Sequence, residues 1–212
     1  MAAIDTDLTK RPYPPAHMLV VDAAPWFEPA PDVLAWLRDS FINPDGPACN
    51  PDHQHLQEAR LGVLWTNTYC GRNQREVVGM AEVPRVQGHM WLKARNEWMM
   101  GQWFGDDLDF LLTFSAPHAR GCSDAEFCAL VEHELYHCAQ MLDDFGMPKF
   151  TKDGAPKFGI MGHDVEEFVG VVRRYGAITA PIRELVEMAS REPEVAPADL
   201  RHVCGTCLRL AA

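Results

Sequence analysis

Residues 133–137 read His-Glu-Leu-Tyr-His, and they gather the chemistry of this 212-residue chain into one short stretch. Two histidines four positions apart lie one turn apart on the same face of a helix. Their imidazoles can then grip one metal ion together. Glu134 follows the first ligand and reaches a metal-bound water rather than the metal. Zinc lowers the pKa of such a water to about 7, and a neighbouring carboxylate can take its proton during attack on a carbonyl. The spacing points to a zinc hydrolase with His133 and His137 as ligands and Glu134 as general base. A histidine pair on a solvated helix face is the plain alternative, since the chain holds 9 histidines. Three features favour the metal: a capped, amphipathic helix, a strand before it, and a third histidine at the start of the next helix.

A catalytic zinc keeps three protein ligands and one open position. His163, in "GHDVEEF", is the first choice for the third. Gly162 lets the backbone turn there, and a helix beginning at Asp164 holds the ring at its rim. Glu166 and Glu167 compete for the same place, and a carboxylate in a first helical turn also has an ordinary role against the helix dipole. Tyr175, with Arg173 and Arg174 beside it, is a candidate for stabilising an oxyanion near the zinc. Cys204 and Cys207, with His202 adjacent, make half of a second zinc site, which Cys49, His53 or His55 would have to complete. They read more simply as tail thiols. Cys122 reads as a packed or exposed thiol.

The elements that must position these residues follow from pattern. Residues 1–31 are a proline-rich arm, irregular or extended. Val33, Leu34, Trp36, Leu37 and Phe41 recur at helical spacing after Pro31-Asp32, and a second short helix covers Asp52–Arg60. "RLGVLWTN", "REVVGMAEVP" and "DLDFLLTFSAP" are apolar and β-favouring, hence three strands. Trp91–Trp103 fits either a strand or an aromatic excursion. Ser123 and Glu126 form a capping box for the motif helix, whose apolar positions run from Phe127 to Leu142 before Gly146 and Pro148 stop it. A loop leads to a helix capped by Asp164 and Glu167, and another helix covers Pro181–Ser190. The expectation is an α+β fold: residues 32–190 form one domain, with a small mixed or antiparallel sheet packed on helices, and 191–212 form a tail.

"EHELYHC", followed after a loop by "GHDVEEFVGVVRRYG", resembles the putative phage metallopeptidase family, a member of the zincin-like, SprT-type group of proteases. The resemblance covers roughly residues 55–176 and is most specific at the motif helix. It implies a zincin fold with that helix beneath a sheet whose edge strand lines the cleft. It also implies His133, His137 and His163 as ligands and Glu134 as catalytic base. SprT-type proteases often carry a basic DNA-binding module, whereas this chain is acidic.

The net charge of −11 argues against nucleic acid and anionic membranes as partners, because both need a basic surface. No stretch has the length or apolarity of a membrane span, and the start lacks the pattern of a signal peptide. With an odd count of 7 cysteines, reduced thiols in a cytoplasm are expected. The reading is a zinc peptidase acting on a protein or peptide substrate, which would pair with a sheet edge near Asp107–Ser115. Two other readings use the same motif: a non-catalytic zinc-binding regulatory protein, and a hydrolase of another amide.

Overall fold

A computed structural model describes residues 10–20, 24–72, 75–105, 107–165, 172–173, 176, 179–198 and 203–204. Its strands are β1 (Phe27–Pro29), β2 (Leu61–Thr66), β3 (Gly71–Arg72), β4 (Arg75–Glu82), β5 (Phe110–Ser115), β6 (Cys138–Gln140), β7 (Phe158–Ile160) and β8 (Val203–Cys204). Its α-helices are α1 (Pro31–Leu37), α2 (Met90–Phe104), α3 (Ala116–Gly121), α4 (Asp124–His137) and α5 (Ala180–Ala189). The main sheet runs β1-β2-β5-β4-β3, with β8 also on β4. It is mixed: β2 and β5 are parallel, while β1 joins β2 and β4 joins β5 antiparallel. The α+β expectation is met at this level.

Burial on both faces explains the near-continuous apolar runs of β2 and β5. Leu61, Val63, Trp65, Phe110, Leu112 and Phe114 belong to the larger core, shared with Val33 and Leu37 of α1 and Phe127, Val131 and Leu135 of α4. Leu64 and Leu111 alternate to the other face and meet Met100, Trp103 and Phe104 of α2. The sheet is thus sandwiched between α2 and the layer that carries the motif helix. Phe127 stacks on Trp65 at 5.7 Å between ring centroids, which fixes the helix against the middle of the sheet.

Several expectations change. The Trp91–Trp103 stretch is the helix α2, ended by Gly105 at φ +76°. Only Met100 of α2 is buried, so no clear apolar stripe announced it. Pro117 does not close a strand; it sits in the first turn of α3, where its missing N–H costs nothing. α1 continues into a π-helical turn over Arg38–Ile42, and Pro51–Gln57 is a 3-10 helix. β5 cannot offer an edge to a substrate, because it lies between β2 and β4 and bonds to both. The N-terminal arm is tied in: β1 pairs with β2, and buried Arg11 bonds Asp124 at 2.5 Å and the carbonyls of Ala119 and Cys122 at 3.0 Å. Among the described residues, no helix is long and apolar enough to cross a membrane.

Candidate metal centre

α4 begins with the expected capping box: the Ser123 side chain accepts from the Glu126 N–H, and the Glu126 carboxylate accepts from the Ser123 N–H at 2.8 Å. The helix stops at His137, one turn earlier than its apolar periodicity suggests. Cys138–Gln140 leave it as β6 and pair antiparallel with Phe158–Ile160. The stretch expected to be a plain loop is therefore a hairpin at its base, with two tight turns beyond it, bridged at Leu142–Pro148 and Phe150–Pro156. Gly146 and Gly154 turn it at φ +78° and +83°, conformations that favour glycine.

The hairpin returns the chain to the end of α4. The Met161 N–H donates to the His137 carbonyl at 2.9 Å, and the His137 Nδ1–H donates to the Met161 carbonyl at 2.6 Å. A carbonyl only accepts, so the proton of neutral His137 sits on Nδ1 and Nε2 keeps its lone pair. Two residues further on, His163 brings its ring to the other two. Ring centroids are 5.0 Å apart for His133–His137, 5.1 Å for His133–His163 and 5.2 Å for His137–His163. One nitrogen from each lies within 4.8 Å of the others, a grouping that could hold a metal ion. The Nε2 atoms of His133 and His163 are 3.3 Å apart, and one can donate to the other without metal. Burial, with the neighbouring His137 and His163, pulls the His133 pKa down to about 4, so its ring is neutral near pH 7. His137 is buried and His163 exposed, so the group opens to solvent on one side.

Glu134 faces inward. It is fully buried between α4 and β4, and Gly79 of β4 lies directly against it. Behind the motif, the Asn50 side-chain amide donates to Glu132 at 2.7 Å and to the Tyr136 hydroxyl at 2.9 Å, while Tyr136 donates to Asp52 at 3.0 Å. Burial raises the Glu132 and Tyr136 pKa values. A cleft of about 710 Å³ runs past this network toward α5, and Asp52, Glu132, Asp164, Glu184 and Glu194 line it.

His133, His137 and His163 are thus brought together, with Glu134 on the same helix but facing β4. Glu166, Glu167, Arg174, Tyr175, His202 and Cys207 lie outside the described residues, and Arg173 is exposed. Cys122 is half-buried, and burial raises its pKa. His53 packs edge-on against Tyr136, and both ring nitrogens of His55 face carbonyl oxygens. Gly79 and the Met161 carbonyl are the site residues that sequence reasoning missed. A glycine inside an apolar strand was the one available signal, since it marks a close backbone approach.

No curated protein and no solved structure matches the chain. The family model described as putative phage metallopeptidase matches residues 34–190, from α1 through α5. With most of its length covered, the chain belongs to the putative phage metallopeptidase family.

Proposed function

We propose that the chain is a zinc peptidase on a zincin-like fold, with His133, His137 and His163 as ligands and Glu134 as general base. Family membership supports metal-dependent peptide hydrolysis in general. The observation that carries the finer reading is the convergence of three histidine nitrogens from α4 and the returning hairpin. Zinc–nitrogen bonds of about 2.0–2.1 Å at a tetrahedral angle put two donors roughly 3.3 Å apart. The Nε2 atoms of His133 and His163 have that separation, 3.3 Å. A three-histidine set leaves the fourth position open, as hydrolytic zinc requires.

Bound zinc would supply a Lewis acid that polarises the scissile carbonyl and acidifies a water. The remaining steps fall to the chain. His137, held by the Met161 carbonyl, keeps one tautomer and one ring orientation. Glu134 accepts a proton from the attacking water and passes it to the leaving amine. Tyr175 stabilises the oxyanion. The carboxylates of the neighbouring cleft favour the approach of a basic protein or peptide substrate.

Metal analysis combined with a peptide-library cleavage assay tests this. About one zinc per chain, chelator-sensitive cleavage, and loss of cleavage with zinc retained in Glu134→Gln are expected. A zinc-loaded wild-type protein that cleaves no peptide would overturn the peptidase assignment in favour of a binding protein or another amide hydrolase.

A further inference from the structure

Gly79 occupies the middle of β4, paired with Phe114 of β5. Glycine is a poor strand former, so its presence between Val78 and Met80 calls for a reason. Conformation is not the reason, because Gly79 is absent from the glycines with positive φ. Space is. A β-carbon at this position would stand 2.8 Å from Glu134 Oε1, 2.8 Å from Leu130 Cδ1 and 3.2 Å from Glu134 Cγ. Two of the three nearest atoms belong to the proposed base. The Leu130 methyl is also buried in the core, so it and the Glu134 carboxylate are the groups that must give way. Glu134 is fully buried, so its carboxylate can yield only by leaving its place.

We infer that Gly79 is a positioning residue for Glu134: its bare backbone is the floor on which the carboxylate rests. The inference rests on Glu134 being the base. Misplacing a catalytic group by about an ångström can cost about 100-fold in rate, so even a methyl group here is felt in the chemical step.

Crossing Gly79→Ala with Glu134→Ala gives two tests. In the metal-free protein, Gly79→Ala lowers Tm by roughly 4–8 °C, and by less than half of that when Glu134 is already alanine. In the zinc-loaded protein, Gly79→Ala lowers kcat by about 10- to 100-fold, leaves KM and zinc content nearly unchanged, and adds nothing to the Glu134→Ala defect. Equal Tm losses in both backgrounds would put the pressure on Leu130 alone and overturn the inference. So would a Gly79→Ala enzyme with full kcat, or one that folds in neither background. A Gly79→Ala chain that folds only when Glu134 is alanine supports it. Failure of the functional reading looks different: Glu134→Ala then keeps its turnover, which removes the base, while the Tm cycle still reports whether the two residues compete for one space.

Discussion

Two groups of histidines lie close together in this fold and do different work. His133, His137 and His163 turn one nitrogen each toward a common point that opens to solvent. His53 and His55, on the 3-10 turn that packs behind α4, turn theirs elsewhere. His55 bridges the Cys138 carbonyl at 2.6 Å and the Asp52 carbonyl at 2.9 Å. His53 is fully buried, 4.7 Å from the Tyr136 ring and 3.7 Å from the Glu132 carboxylate. The difference lies in direction rather than residue type. A metal needs lone pairs that converge, whereas His55 spends its nitrogens on single local carbonyls and those of His53 are buried without a hydrogen bond among the described residues.

The largest effect that could break this contrast is on metal content. The double variant His133→Ala, His137→Ala should bind no zinc, whereas His55→Ala should keep its full complement, as read by elemental analysis. Zinc lost from the His55 variant as readily as from the double variant would erase the distinction. Next comes turnover: Glu134→Gln should lower kcat by about 100- to 10,000-fold with zinc retained. His163→Ala should weaken zinc binding by about 100-fold or more, beyond the cost of losing an outer-shell contact, as measured by competition with a chromophoric chelator. Unchanged affinity would return the third position to Glu166 or Glu167.

A smaller effect concerns acid stability. Burial pulls the His53 pKa down to about 4, and an unfolded histidine titrates near 6.5. Between those values the unfolded chain binds more protons, so protons favour unfolding. The stability from keeping His53 neutral is complete above about pH 6.5 and is lost as pH falls toward 4. His133 adds to the same limb in the metal-free protein, since its pKa is also about 4. His53→Phe should flatten part of that limb in denaturant titrations without changing zinc stoichiometry. A limb of unchanged slope would mean that His53 does not titrate in this way.

The motif helix, its capping box and the His133–His137 pair were legible because each depends on residues close in sequence or on a spacing with direct geometric meaning, whereas the place of His163 depends on the β6–β7 pairing. The central strands were legible from their apolar runs. Their order was not: nothing in "DLDFLLTFSAP" tells that β5 bonds to a strand on each side. The end of α4 was misread because Cys138 and Leu142 continue the helical period, while the competing pairing with Phe158–Ile160 depends on residues some twenty positions away. Gly79 carried a local hint, but its partner Glu134 is known only once α4 lies on β4.

The β6–β7 ladder has a consequence for how such centres can be recognised. The separation in space between the second and third histidines is set by main-chain bonds near the hairpin base, so the number of residues between them is not what holds the geometry. Doubling a flexible loop costs only about 0.6 kcal/mol in closure entropy, and Phe145, in the first of the two turns beyond the base, is 91% exposed. Residues added there leave the base of the ladder, and His163 beyond it, in place. A single residue inserted within Phe158–Ile160 slips the register and turns every following side chain to the opposite face. Sequences built on the same centre should therefore vary in His–His distance along the chain, and a search with fixed spacing would miss them.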